Sequence, residues 1–225
     1  MIDRELYLPR SWADDPERLQ AAGVPAQIGF ATKPALATAM LCRVLDAGVP
    51  AAWVAGDEVY GANPGLRATL EARQIGYVLA VACDHRVRAG SPSQRADALL
   101  ATVPARAWQQ VSCGKGAKGH RLYDWAFVRL DHDGAAPDGQ AGKHWLMVRR
   151  NRNNGELAFY RCFTPRPTHW PSWSGSQDAA GRWRSDFRPA RAFVAWTSTR
   201  SAAGAPGTAG PPSPCSPTPS WWSRP

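Results

Sequence analysis

The sequence is poor in lysine, in cysteine pairs and in long apolar runs, and its last 58 residues almost lack aliphatic side chains. Lys33, Lys115, Lys118 and Lys143 are its only lysines, so arginine carries most of the formal charge of +9. Such a balance points to a polyanionic partner, because phosphate neutralisation drives binding that does not depend on sequence. A GC-rich coding sequence would raise arginine equally well, and charge alone leaves both readings open. The five cysteines (Cys42, Cys83, Cys113, Cys162, Cys215) are dispersed, with no CxxC spacing. The five histidines show no HxH or HxxxH grouping, which speaks against a zinc site. An odd, scattered cysteine count suits a reducing compartment, and Cys42 and Cys83 fall where buried residues belong. No basic-then-apolar leader opens the chain, and no apolar run approaches the ~18 residues of a membrane span. The expectation is a cytoplasmic protein without a membrane partner.

What is present up to about residue 167 has the patterning of a folded α/β protein. Ile2-Asp3-Arg4-Glu5-Leu6-Tyr7-Leu8 alternates apolar and polar residues before Pro9, as an edge strand or hairpin arm does. Thr32 and Pro34 open a helix with Leu36, Met40, Leu41 and Val44 on its apolar side and Gly48 at its stop. Ala51–Ala55 is a short buried-strand candidate ending at Gly56-Asp57. Asn63-Pro64 opens a second helix carrying Leu66 and Leu70 and closing at Gly76. Tyr77–Ala82 is a continuous apolar run of strand length, as found in strands covered on both faces. Helix, strand, helix and strand with short connections predict an α/β layer with parallel strands. From residue 105 the pattern changes to β-strands at 125–130, 145–148 and 157–160, with turns at Asp133-Gly134 and Asn154-Gly155 between them.

From Thr168 onward there is no Leu, Ile or Met and a single Val, Val194, yet six of the eleven tryptophans and nine prolines lie there. A disordered tail is normally poor in tryptophan, and a folded segment is not emptied of aliphatics. A shifted reading frame accounts for both. Starting each codon one nucleotide earlier forces Leu from His169-Trp170 and Ala from Trp170-Pro171. It permits Gln-Val-Glu-Glu across Arg182–Ser185 and an apolar, helix-like run across Pro211–Ser223. The frame is expected to change near Pro165–Thr168.

Several stretches together resemble the DDE transposases of bacterial insertion sequences, above all the insertion-sequence seven-hundred-and-one group. They are Ile2–Pro9, Phe30–Pro34, Gly56-Asp57-Glu58-Val59-Tyr60-Gly61, Tyr77–Val81, Gly116–Arg121 with Tyr123-Asp124-Trp125, Leu146–Arg150 and Gly155–Tyr160. The resemblance implies a partial ribonuclease-H-like core over 1–104, and the patterning and codon reading add a β-rich insertion over 105–167 and a disordered, out-of-frame tail over 168–225. It implies Mg²⁺ as cofactor and DNA as partner, with a homo-oligomer or an intact transposase as a further partner. In such enzymes three carboxylates hold two divalent cations about 3.5–4 Å apart, clamping attacking and leaving oxygens of a phosphodiester. Hard oxygen ligands suit Mg²⁺.

Asp57 corresponds to the second carboxylate of that trio and is the expected catalytic residue and metal ligand. Taken without the resemblance, it is an ordinary turn aspartate. The first Asp has no counterpart, because the chain opens at what resembles the strand after it. Its loss is expected to leave unpaired backbone groups on a neighbouring strand. The Glu has none either, since the shifted Gln-Val-Glu-Glu lies where the family places it. Catalysis by this chain is therefore not expected. Lys115, Lys118 and Arg121 in a glycine-rich basic turn, and Arg149, Arg150 and Arg152 at a strand end, are the candidate DNA contacts. The glycine-rich stretch lacks the Lys-Ser/Thr ending of a nucleotide-binding P-loop. A plain basic hairpin turn and a solvated charge run remain the competing readings. Asp84-His85 reads as structural, and nothing marks Ser112 or Cys113 as a nucleophile.

Overall fold

The computed structural model describes residues 3–90, 92–116, 119–131, 144–165 and 193–196; for 112–116, 119–121 and 193–196 it gives the backbone path alone. Two short helices, α1 (Arg10–Ala13) and α2 (Pro16–Ala21), precede α3 (Lys33–Asp46). Thr32 caps α3, its hydroxyl accepting from the Ala35 N–H at 3.3 Å, and Gly48 leaves the helix at φ 73°. Ala37, Met40 and Leu41 form its buried stripe, with Leu36 and Val44 half-buried at the margin. Strand β1 (Trp53–Gly56) follows, then the single turn α4 (Glu58–Gly61), α5 (Pro64–Ala72) and β2 (Gly76–Val81). Asn63 caps α5 by accepting from the Leu66 N–H at 2.8 Å. A two-stranded hairpin, β3 (Arg86–Val87) and β4 (Gln94–Arg95), and the short α6 (Ala96–Leu100) lead to β5 (Gln109–Gly116), β6 (Gly119–Leu130), β7 (His144–Asn151) and β8 (Leu157–Phe163). The last described element is β9 (Phe193–Trp196).

These strands form one seven-stranded mixed sheet in the order β5-β6-β7-β8-β2-β1-β9. Strand β1 is parallel to β2 and to β9, and every other pairing is antiparallel. The α/β layer with parallel strands is thus present, and the architecture is consistent with a ribonuclease-H-like fold. The β-rich stretch does not stand apart from it. Strand β8 pairs with β2 from Tyr77↔Phe163 to Val81↔Phe159, so core and β-rich stretch share one sheet.

Side chains alternate across the sheet, and its two faces differ. On one face Val54, Tyr77, Leu79 and Phe163 pack against Ala37 and Leu41 of α3, Tyr60 of α4 and Leu66 and Leu70 of α5. The same face continues through Leu146, Val148 and Phe159 to Ala96 and Leu99 of α6 and Val87 of the hairpin. The opposite face carries Val78, Phe127, Trp145, Met147, Tyr160 and Cys162, with Trp53 and Trp125 beside them. Among the described residues no helix packs on that face.

Three expectations need correction. Residues 3–8 are not a strand: Asp3 and Glu5 instead reach Arg43 on α3, at 2.8 and 2.7 Å, and Leu8 is buried. Charge pairing with a helix, not a ladder, holds this arm. The turn after α5 is made by Gln74 at φ 56°, and Gly76 already belongs to β2. Gly76 is required by packing, because a Cβ there would lie 2.7 Å from the Trp53 ring. Finally, Phe193–Trp196 is a strand inside the stretch expected to lack order, and it occupies the outer edge of β1. Phe-Val-Ala-Trp suits a strand, a local signal lost when aliphatics are counted over 58 residues. The rest of that stretch lies outside the described residues, as does the Asp133-Gly134 turn. Of the two cysteines expected inside, Cys83 is buried and Cys42 only partly so.

Candidate functional site

Parallel strands β1 and β2 end at the same sheet edge, and Asp57 stands immediately beyond the last residue of β1. Ligands of open α/β sheets characteristically collect outside the carboxyl ends of such strands. The local sequence explains how this aspartate is held. Its backbone is extended, and its Oδ1 accepts from the Val59 N–H at 3.1 Å, which makes it the N-cap of α4. Its carbonyl accepts from both Tyr60 and Gly61, each at 3.1 Å. Gly56 before it faces Leu79, where a Cβ would come within 3.0 Å. Gly61 after it presses against β2 so closely that a Cβ would lie 1.9 Å from the Ala80 oxygen. The Gly-Asp-Glu-Val-Tyr-Gly stretch is therefore a strand end and one helical turn fitted against the neighbouring strand.

A residue that the sequence reading missed completes this arrangement. Arg67 on α5 is buried, with 5% of its surface exposed, and its Nη1 donates to the Gly61 carbonyl at 2.6 Å. A buried arginine among Leu66 and Leu70 has no sequence signature beyond interrupting an apolar stripe. One turn further along α5, Glu71 accepts from the Tyr77 hydroxyl at 2.7 Å and lies 3.7 Å from Nδ1 of the buried His144. Burial, and after it the negative charge of Glu71, pushes the Tyr77 phenol well above its ordinary range.

The structure scatters the other candidates. Arg149 is buried and stacks over the Tyr123 ring at 4.7 Å, so its charge faces inward. Arg150 donates to Asp124 Oδ2 at 3.0 Å and lies 4.2 Å over the Trp108 ring. Arg152 reaches the other oxygen of Asp124 at 3.6 Å and keeps its side chain 46% exposed. Of these three, Arg152 is the one best placed to meet a phosphate. Lys115 sits in β5 and Arg121 in β6, two antiparallel strands whose described pairing runs to Gly116↔Gly119. Their side chains and the whole of Lys118 lie outside the described residues. His85 is built into a turn, its N–H donating to Ala82 and its carbonyl accepting from Ala96. Arg88, Arg106 and Arg129 are exposed basic residues that the sequence reading passed over.

No group of three His, Cys, Asp or Glu side chains among the described residues is arranged to hold a metal ion. No glutamate follows Glu156 anywhere in the sequence. Asp57 has one oxygen committed to capping α4, and without a third ligand grouped beside it among the described residues the site does not fit a paired Mg²⁺ centre. No helix among the described residues is long and apolar enough to cross a membrane.

A mixed sheet with a carboxylate at the end of a buried parallel strand is the framework of the nucleases that cut phosphodiesters from a ribonuclease-H-like core. Residues 1–118, just over half of the chain, match the DDE superfamily endonuclease family, and the chain belongs to that family. No curated protein matches it. Family membership implies DNA as the substrate class and supports a transposase-like nuclease function.

Proposed function

We propose that this chain is a remnant of an insertion-sequence transposase of the seven-hundred-and-one group, and that it does not itself cut or join DNA. The observation that carries this reading is Asp57: it stands at the expected strand end, yet no group of three His, Cys, Asp or Glu side chains among the described residues is arranged to hold a metal ion. Two-metal phosphoryl transfer needs several anionic oxygens converging on both cations, and a single capping aspartate does not supply them. The absence of any glutamate after Glu156 supports the same reading, and a changed reading frame near Pro165–Thr168 gives it a cause. The formal charge of +9 and the family's DNA substrate class together are compatible with retained contact with DNA backbone. Incubation of the purified chain with supercoiled plasmid and Mg²⁺ or Mn²⁺ tests this. The proposal expects no nicking above background. Nicking that is lost in Asp57→Ala would overturn it.

A further inference from the structure

We infer that Arg67 is a positioning residue for Asp57, acting through the one-turn helix between them; this rests on reading Asp57 as the family's functional carboxylate. The two residues grip opposite ends of α4. Asp57 Oδ1 accepts from Val59 N–H at its start, and the Arg67 guanidinium takes the carbonyl of Gly61 at its end. A helix of four residues cannot satisfy its own terminal carbonyls and has almost no stability by itself. Its orientation must come from outside. Burial of Tyr60 in the core, the close approach of Gly61 to the Ala80 oxygen, and the charged donor from α5 supply it.

The placement of Arg67 is itself fixed from below. Positions 67 and 71 lie four apart on one face of α5, so the helix sends Arg67 towards α4 and Glu71 towards Tyr77 and His144. The Tyr77 phenol is raised chiefly by burial and then by the negative Glu71, and the positive Arg161 and Arg67 counter this, so Arg67 and Glu71 share its neighbourhood with Arg161. Helix α5 thus works as a strut. It is anchored to β2 through Glu71 and Tyr77 and braces the turn that carries Asp57 through Arg67. An apolar residue at 67 would fill the space and leave the Gly61 carbonyl without that donor.

Amide hydrogen exchange on the full chain reads this directly, without any need for catalysis. The Val59 N–H reports the Asp57 cap, Leu70 reports α5 itself, and Leu146 reports the sheet core. Arg67→Met and Arg67→Gln are each expected to speed Val59 exchange at least tenfold while Leu70 and Leu146 keep their wild-type rates. Arg67→Lys, which restores a charged donor, is expected to recover most of the Val59 protection. Either of the first two variants decides the matter if the other fails to fold. Unchanged Val59 exchange in a folded variant, or a rise shared equally by Leu70 and Leu146, would overturn the inference. The plasmid assay bears only on what Asp57 is for, so the two readings fail separately.

Discussion

Gly61 lies so close to Ala80 that the carbonyl oxygen of β2 occupies the place of a side chain: a Cβ on residue 61 would sit 1.9 Å from it. Strand β2 cannot yield, because it is hydrogen-bonded on both sides by β1 and β8. Gly61→Ala should therefore destabilise the chain by about 3 kcal/mol, the upper end of what overpacking costs. The check is chemical denaturation with an unchanged m-value. A loss under about 1 kcal/mol would mean that α4 can lift off the sheet.

Asp57 can be separated into its two roles by paired substitutions. Asparagine caps helices as well as aspartate does, and alanine does not, at a cost of about 1 kcal/mol. Asp57→Asn should match the parent in thermal stability and Asp57→Ala should melt lower. Millimolar Mg²⁺ should raise the melting temperature of none of the three, because a ligand stabilises only the state that binds it. A Mg²⁺-dependent rise confined to the parent chain would show a working metal ligand.

The stability profile against pH should be asymmetric. Hydrogen bonds from Arg73 and Arg95 hold the Asp46 and Asp97 carboxyls below their ordinary range. Their stabilisation is present above the unfolded carboxylate pKa of about 3.9 and fades as pH falls through the lowered folded values. Both groups are open to solvent, so this acid-side loss should be slight. On the alkaline side the Tyr77 phenol is raised, chiefly by burial. Its contribution is whole below the unfolded tyrosine pKa of about 10 and is lost as pH climbs towards the folded value. Ultraviolet titration should show Tyr77 ionising only together with unfolding. Tyr77→Phe should remove its share of that late step and cost about 1.5–3 kcal/mol, as hydrogen bonds to charged groups do.

The arginines divide between packing and contact. Arg149→Ala should lower stability through lost packing over Tyr123 and leave the salt dependence of DNA binding unchanged. Arg152→Ala should do the reverse, reducing the slope of log affinity against log salt by about one. Measured with labelled duplex at several salt concentrations, an insensitive slope in Arg152→Ala would remove this residue from the interface.

Much of the core was legible because local signals agreed. Thr32, Pro34 and Gly48 bracket α3, Asn63 and Pro64 open α5, and the apolar run after Gly76 is β2. Three kinds of fact were not legible. The arm at residues 3–8 alternates like a strand, and only its distant pairing with Arg43 decides otherwise. Joining the β-rich stretch to the core depends on β8 choosing β2 as partner, a long-range pairing with no local marker. Arg67 reads as a surface charge until tertiary structure shows it reaching Gly61. At the candidate site, a strand end and a Gly-Asp spacing were visible, whereas the inward turning of Arg149 was not.

Titration with Mn²⁺ followed by electron paramagnetic resonance addresses the central claim most directly, because it counts bound cations and reports whether two share ligands. The account predicts a signal indistinguishable from free aqueous Mn²⁺ up to millimolar concentration, unaltered by Asp57→Ala. A saturable, spin-coupled pair of ions that disappears in Asp57→Ala would contradict it.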